Sequence, residues 1–176
     1  GPDGVVMTTR QDQLVGRASL WWRQVPDYPS ERLGFIGHYT VQDNAAAETL
    51  LAECCRGLSA QGCTLAVGPI DGSTWRLYRL LSERGQEPPF FLEPDNPDTW
   101  PGHFDAANFY AFAQYYSSIN EDNSPGKDRS ALTQRVQRAG YKLRSLASED
   151  LEMELKRLWR LSCAAFRNNF LYGPIT

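Results

Sequence analysis

The hydrophobic pattern of this chain changes its period near residue 42, and this change limits the possible folds more than any other feature. Up to Val41 the sequence is rich in residues that favour β-strands, whereas from Asn44 to Ala60 the apolar residues recur at helical spacing. Residues 63–67 are again apolar but too few for a helix. A strand, a helix and a strand in this order require a right-handed crossover between parallel strands. The sequence therefore predicts an α/β fold.

Three β-favouring stretches precede the helix. Residues 5–10 and 14–25 are separated by a short polar connection, so they are expected to pair as an antiparallel hairpin. Residues 33–41 form the third predicted strand, which Gly34 and Gly37 interrupt. Glycine inside a strand indicates a bulge or a close approach by another group.

The second half of the chain is expected to mix helices, loops and strands. A helix is predicted over residues 73–84, and the proline-rich residues 86–102 are predicted to form a long loop. Residues 109–118 look like a strand or a hairpin arm, and residues 120–126 like a linker. The remaining predicted elements are a helix over 129–138, a strand over 141–146 and an amphipathic helix over 151–170.

Composition excludes several classes of protein. The 176 residues carry a net charge of −3, which argues against a general nucleic-acid binder. No apolar run approaches the roughly 20 residues that span a bilayer, so no membrane partner is expected. The four cysteines lack metal-site spacing and are expected to be reduced thiols in a cytoplasmic protein. No motif of a P-loop, a serine hydrolase or a zinc protease is present, and no metal site is predicted.

The order of the predicted elements resembles the GNAT (Gcn5-related N-acetyltransferase) superfamily from its second strand onward. Residues 33–41 resemble the family's fourth strand, whose backbone edge binds the pantetheine arm of acyl-CoA. Residues 42–61 resemble the helix whose first amides receive the CoA diphosphate. Residues 63–71 and 73–84 resemble the fifth strand and the next helix. The stretches 67–71 and 166–175 are similar to a bacterial subgroup of large, often two-repeat, GNAT-like proteins.

The resemblance implies a GNAT-like mixed central sheet flanked by helices, and it covers residues 4–120 well and the rest loosely. The usual N-terminal strand and helices are lacking, or the C-terminal segment supplies them. The implied domains are an acyl-CoA-binding core over 1–120, a linker over 121–126 and a strand–helix segment over 127–176. That last segment either completes the sheet in permuted order, by pairing residues 141–146 with residues 5–10, or begins a second repeat.

The predicted diphosphate-binding turn departs from the family pattern. Members of the family carry Gln/Arg-x-x-Gly-x-Gly/Ala, because glycine lets backbone amides close on the diphosphate. Here the turn after Val41 reads Gln-Asp-Asn-Ala-Ala-Ala, without glycine. Asp43 places a negative charge where the diphosphate would lie, unless its side chain turns away as the helix N-cap.

The resemblance implies a set of site residues. Tyr78, on the predicted second helix, would be the acid that protonates the leaving thiolate, and His38 would be the base, with Glu93 and Asp95 as alternatives. Both Tyr78 and His38 can equally be structural residues of the core. The residues expected to bind acetyl-CoA or another acyl-CoA are Tyr39, Thr40, Val41, Gln42, Asn44, Ala45 and Ala46. His103 could cap the groove.

Two functions are consistent with these features. The first is an acyl-CoA-dependent N-acyltransferase, in which a small-molecule or peptide amine attacks the thioester directly. The second is a catalytically inactive GNAT-like binding or dimerisation module, and a homodimer is left open in either case. The acidic net charge makes nucleic acid an unlikely partner for both.

Overall fold

The computed structural model describes residues 1–119, 130–142 and 144–174. These residues fall into two compact units, one made of Gly1–Tyr110 and Cys163–Thr176 and the other of Ala111–Ser162. The predicted linker, residues 120–126, lies outside the described residues. None of the described helices combines the length and the apolar character that crossing a membrane requires.

The first unit contains a four-stranded sheet with the order β1-β2-β3-β4. Its strands and helices are β1 (Gly4–Arg10), β2 (Gln13–Trp21), β3 (Leu33–Val41), α1 (Asn44–Ala60), β4 (Leu65–Val67) and α2 (Trp100–Ala106). β2 is antiparallel to both β1 and β3, whereas β3 and β4 are parallel. The predicted α/β class, the hairpin and the parallel strand–helix–strand unit are confirmed.

The hairpin turn shows why β1 and β2 pair directly. Gln11 and Asp12 have φ values of +51° and +62°, the left-handed conformation that both central residues of a type I′ turn adopt. Because this turn matches the twist of the flanking strands, two residues suffice to reverse the chain. β2 ends at Trp21, four residues before the predicted end of this strand at Val25.

Helix α1 packs its apolar stripe on one face of the sheet. Leu50, Leu51, Cys54 and Leu58 are buried there and form one cluster with Ile36 and Tyr39 of β3. A second cluster lies around Trp21, Leu33, Phe35 and Ile70. All four cysteines are free, and burial raises the pKa of Cys54 to about 12.

The two strand glycines are sites of close approach, as predicted. A Cβ atom on Gly34 would lie 2.7 Å from the side chain of Leu58 in α1. A Cβ atom on Gly37 would lie 2.2 Å from the carbonyl oxygen of Ile70. The segment after β4 therefore leaves no room for a Cβ atom at Gly37, whereas a Cβ atom at Gly34 would require the Leu58 side chain to move.

The predicted helix over residues 73–84 is wrong. The chain there is irregular because distant groups, not carbonyls four residues earlier, satisfy its backbone. The Leu81 amide donates to the Asn96 side chain at 2.7 Å, and the Leu77 carbonyl accepts from the Asp71 amide at 2.8 Å. A helix forms instead in the predicted loop, at α2, where Pro101 lies in the first turn and needs no hydrogen-bond donor.

Two predicted strands are also wrong. Residues 109–118 form no strand, and neither do the described residues of 141–146. Among the described strands β1 pairs only with β2, so the structure does not place residues 141–146 in the sheet. Tyr141 instead donates its amide to the Val136 carbonyl at 3.2 Å, which closes the end of the preceding helix.

The second unit contains α3 (Ser130–Arg138), a 3-10 turn (Ser148–Asp150) and the beginning of α4 (Leu151–Phe166). Both helices were predicted. The predicted α4 was four residues longer than the observed helix, and the predicted α3 began at Arg129, which lies outside the described residues. Glu154 is buried in this unit and pairs with Arg144 at 2.7 Å and with Arg157. The hydrogen bond from Arg144, and to a smaller extent that from Arg157, lowers the pKa of Glu154 below its usual value.

Candidate functional site

The N-terminus of α1 is closed by its own chain. Asp43 is the N-cap, and its Oδ1 accepts the amide proton of Ala46 at 2.9 Å. The Ala47 amide donates to the backbone carbonyl of Asp43 at 3.0 Å. The Ala47 bond is the first bond of the helix itself, whereas the Ala46 amide is one of the first-turn amides that would face an anion at this end, and the Asp43 carboxylate already accepts from it. The expectation that an N-cap role would turn the Asp43 side chain away from the diphosphate position is wrong, because capping itself holds the carboxylate at the helix end.

Arg10 neutralises the capping carboxylate. Its two guanidinium nitrogens donate to the two oxygens of Asp43 at 2.8 and 3.0 Å, a bidentate pair on the protein surface. The Arg10 hydrogen bonds, followed by the bond from Ala46, lower the pKa of Asp43 to about 2. Asp43 is thus ionised at neutral pH and bound to the end of β1.

His103 of α2 contacts the same helix end. Its Nε2 lies 3.0 Å from Oδ1 of Asn44, and its Nδ1 lies 3.0 Å from the hydroxyl of Tyr39. An amide oxygen can only accept, so Nε2 carries the proton and Nδ1 accepts from the Tyr39 hydroxyl. Burial lowers the pKa of His103 and raises that of Tyr39, and both groups are neutral near pH 7.

A shallow cavity of about 440 Å³ lies beside this helix end. Asn44 and Ala45 line it from α1, and Gly102 and His103 line it from α2. The structure thus brings three residues of the predicted cofactor site, Tyr39, Asn44 and Ala45, to one place. His103 joins them, and it fills the space between Tyr39 and Asn44.

The other predicted cofactor residues are engaged with the sheet or the helix. Thr40 and Val41 pair with Arg17 and Gly16 of β2. Gln42 donates its backbone amide to Val15 at 2.9 Å and its side-chain amide to Leu14 at 3.2 Å. Ala46 is buried and bonded to the N-cap.

The free edge of β3 that pantetheine binding requires is partly occupied. β4 pairs with the first three residues of β3, Leu33 to Phe35. Beyond them, Ile70 donates its amide to the Ile36 carbonyl at 2.8 Å, and the His38 amide donates to Oδ1 of Asp71 at 2.6 Å. The chain after β4 therefore follows β3 as far as His38.

His38 lies at a bulge in β3. Ser19 and Arg17 of β2 pair with Gly37 and Thr40, so β3 has two residues, His38 and Tyr39, where β2 has one. His38 has a φ of +45°, a conformation that costs energy in a residue with a Cβ atom. The extra residue directs His38 away from the α1 face, which Ile36 and Tyr39 share.

The His38 side chain belongs to a small polar cluster. Its Nδ1 lies 3.0 Å from the hydroxyl of the buried Ser19, and its ring makes an edge contact with Trp21 at 5.2 Å. Nε2 lies 3.8 Å from Oδ2 of Asp71, and the His38 side chain remains 37% exposed. Ser19 is too deeply buried to act as a nucleophile, whereas the His38 side chain reaches solvent.

Tyr78 was predicted to act as an acid from a position on the second helix. That position is wrong, because Tyr78 does not lie on a helix. Its hydroxyl accepts from the Arg79 guanidinium, which also lies over its ring at 4.7 Å. Arg79 in turn pairs with Glu93 at 2.6 Å, and Arg84 pairs with Asp95 at 2.7 Å. The two alternative bases are therefore in ion pairs.

Sequence reasoning missed Asp71, Ser19 and the contacts of His103. The available signal was the position of Asp71 after β4 and the following Gly68-Pro69, since ligands often bind beyond the carboxyl ends of strands. Nothing in the sequence near Ser19 distinguishes it. Within the described ranges, no three His, Cys, Asp or Glu side chains are grouped to hold a metal ion.

Comparisons with known proteins add no relative. No family model matches the chain, no curated protein matches it, and no solved structure matches it.

Proposed function

We propose that the first unit is a catalytically inactive GNAT-like binding or dimerisation module. One observation carries this proposal: the Asp43 carboxylate occupies the helix end where an acyl-CoA diphosphate would bind. A diphosphate at that point would have to displace a carboxylate that is bonded to Ala46 and to Arg10. The residues present therefore do not fit the CoA diphosphate.

The edge of β3 supports the same proposal. Pantetheine would need unpaired backbone groups along this strand. The carbonyl of Ile36 already accepts from the Ile70 amide, and the amide of His38 already donates to the Asp71 carboxylate. His103 and Asn44 close the space next to Tyr39. The sheet is kept, while the helix end and the β3 edge as far as His38 are occupied by the chain's own groups, and this architecture serves binding.

Calorimetric titration with acetyl-CoA tests the proposal. We expect no saturable heat at millimolar ligand for the unaltered chain. Asp43→Gly removes the carboxylate and frees the helix amides, so it should gain affinity for acetyl-CoA if the carboxylate is the obstacle. Asp27→Asn removes an exposed charge elsewhere in the same unit and should change nothing. Saturable binding to the unaltered chain would contradict the proposal.

The His38 cluster favours a second candidate, N-acyl transfer to a small-molecule or peptide amine. In that reaction the amine nitrogen bonds to the acyl carbon of a thioester, and the carbon–sulfur bond breaks with its electron pair on sulfur. A base takes the proton of the amine, and this proton returns through solvent to the leaving thiolate. His38 has the exposure and the neighbouring carboxylate, Asp71, that such a base needs. Its position where β3 and the segment after β4 begin to separate also favours this role.

An assay of acyl transfer to a panel of amines decides between the candidates. If the chain is an acyltransferase, His38→Gln should lower turnover by about 10²-fold or more, the range in which a general base contributes. Asp12→Asn is the control, because Asp12 lies in the exposed turn between β1 and β2, outside the His38 cluster. Absence of turnover with every amine supports the binding module.

A further inference from the structure

His103 is buried where α2 meets α1 and β3, and both of its ring nitrogens are bonded there. Only 6% of the residue is exposed. Nδ1 accepts from the Tyr39 hydroxyl, and Nε2 donates to Oδ1 of Asn44, each at 3.0 Å. These two bonds require the neutral ring, because Nδ1 accepts only while it carries no proton.

A second proton on the His103 ring disrupts this arrangement. Protonated Nδ1 is a donor, so the Tyr39 hydroxyl would have to accept, and its own proton would need another acceptor. Among the described residues that hydroxyl makes no other hydrogen bond, and Tyr39 is only 4% exposed. An unbonded hydroxyl and a buried charge both cost free energy. The positive end of the α1 dipole, beside Asn44, adds repulsion.

Glu48 gives a charged His103 ring a better partner. It follows Asn44 by four positions on α1, and residues four apart are neighbours on one side of a helix. Glu48, Asn44 and His103 all line the cavity of about 440 Å³ beside the helix end. Glu48 is exposed, and no described residue forms an ion pair with it. A ring that turned into this shallow cavity would be hydrated and would face a carboxylate.

The other charged groups of the neighbouring elements do not compete for the His103 ring. Asp105 lies two positions from His103 on α2, and residues two apart on a helix do not face each other. On β3, His38 points away from the α1 face. The remaining charged groups at the start of α1 and along it are paired within the chain: Asp43 with Arg10, and Glu53 with Arg56.

We propose that His103 is a pH-dependent switch, whose ring exchanges Tyr39 and Asn44 for Glu48 when it becomes protonated. The proposal goes beyond the proposed function, because neither position of the ring requires a ligand. Trp100 and Phe104 hold α2 against Tyr39 in both states, each with its ring centroid 5.1 Å from that of Tyr39. The movement is therefore confined to the His103 side chain, and it empties the space between Tyr39 and Asn44. Burial lowers the pKa of His103, so the exchange occurs in mild acid and the neutral position predominates at pH 7.5.

NMR spectroscopy of the full chain, labelled with ¹⁵N-histidine, tests this inference. His38→Gln assigns the signals of the two histidines. Between pH 7.5 and 5 we expect Nδ1 of His103 to change from an accepting to a protonated nitrogen, and the nuclear Overhauser effects between the His103 and Tyr39 rings to be lost. Those between Phe104 and Tyr39 should remain. Ring contacts with Tyr39 that survive protonation, a loss of the Phe104 contacts as well, or a ring that stays neutral until the chain unfolds would overturn the inference.

The partner of the protonated ring is tested by two matched variants. Glu48→Gln should lower the pH at which His103 becomes protonated by roughly half a pH unit, the size expected of an ion pair at the surface. Glu53→Gln removes the same charge from the same helix but outside the cavity, so it should shift this midpoint clearly less. Equal shifts for the two variants would show that Glu48 does not receive the ring, and the inference would be wrong.

Discussion

Oδ1 of Asp71 accepts the backbone amide proton of His38 at 2.6 Å. His38 has a φ of +45° at the bulge of β3, and Asp71 comes four residues after β4 ends. The bond joins a strained strand residue to the chain that leaves the neighbouring strand. Because the Asp71 side chain is only 15% exposed, water cannot easily replace it. Asp71 therefore stabilises the backbone that directs the His38 ring towards Ser19 and Trp21.

Asp71→Ala should destabilise the first unit. It leaves the His38 amide without its acceptor in a poorly hydrated position, which costs about 1–3 kcal/mol. Asp71→Asn retains an acceptor oxygen and should cost clearly less. Urea denaturation followed by tryptophan fluorescence measures both, and equal losses for the two variants would show that the hydrogen bond is not the stabilising contact.

His38→Gly and His38→Ala should differ in stability. Both lose the contacts with Ser19 and Trp21, but only glycine adopts a φ of +45° without strain. The glycine variant should therefore be more stable than the alanine variant by about 1 kcal/mol, although glycine is usually the less stable of the two in a strand. Comparison of their urea midpoints checks this, and the reverse order would show that the strain is absent.

The first 67 residues could be predicted because their structure follows from local patterns. The polar turn at Gln11, the interrupted strand at Gly37 and the apolar stripe that ends at Leu58 each specify their own element. The bulge was also indicated by Gly37. What the sequence did not indicate is that His38, next to this glycine, adopts the left-handed conformation.

The candidate site could be predicted only in part, because it depends on contacts between distant residues. Tyr78 has helical spacing with its apolar neighbours, but Asn96 binds the backbone of Leu81 and prevents a helix. His103 reaches Asn44 across 59 positions. His103 lies on α2, and the sequence signal for this helix was Pro101, since proline favours the first turn of a helix. The many prolines before it outweighed this signal and favoured a loop.

Gly37→Ala should destabilise the sheet more than Gly34→Ala does. The new methyl group at position 37 meets the backbone oxygen of Ile70 at 2.2 Å, so the backbone of β3 or of the segment after β4 must move. At position 34 it meets the end of the Leu58 side chain, which can rotate. Overpacking of this kind costs about 1–3 kcal/mol, and we expect Gly37→Ala at the upper end of this range. Thermal denaturation of the pair measures the difference, and equal midpoints would contradict the close approach of Ile70.

Asp43 should make the stability of the chain sensitive to acid. Its pKa is about 2 in the folded protein and 3.8 as the ordinary value, so its contribution is complete above pH 4 and is lost as the pH falls towards 2. Asn is an equally good N-cap but does not titrate. Asp43→Asn should therefore reduce the stability at pH 7, by removing the pair with Arg10, and flatten the pH dependence between 4 and 2. Melting temperatures across this range test the prediction, which fails if the variant and the unaltered chain lose stability in parallel.

His103 should contribute a second pH dependence, at higher pH. Burial lowers its pKa from the ordinary value of 6.5, so the unfolded chain binds a proton before the folded chain does. Stability is therefore full above about pH 6.5 and decreases as the pH falls below it, until the folded pKa is reached. His103→Gln does not titrate, and its side chain can still contact Asn44 or Tyr39. The variant should be less stable at pH 7.5 but should lose less stability than the unaltered chain between pH 6.5 and 5.

Tyr39→Phe tests the same contact from the other side, because it removes the hydroxyl that donates to Nδ1 of His103. It should cost about 1 kcal/mol at pH 7.5, and less below pH 6, where protonated Nδ1 no longer accepts. Urea denaturation at a series of pH values measures all three proteins, and a stability of the unaltered chain that rises as the pH falls from 6.5 would show that His103 gains, and does not lose, proton affinity on folding.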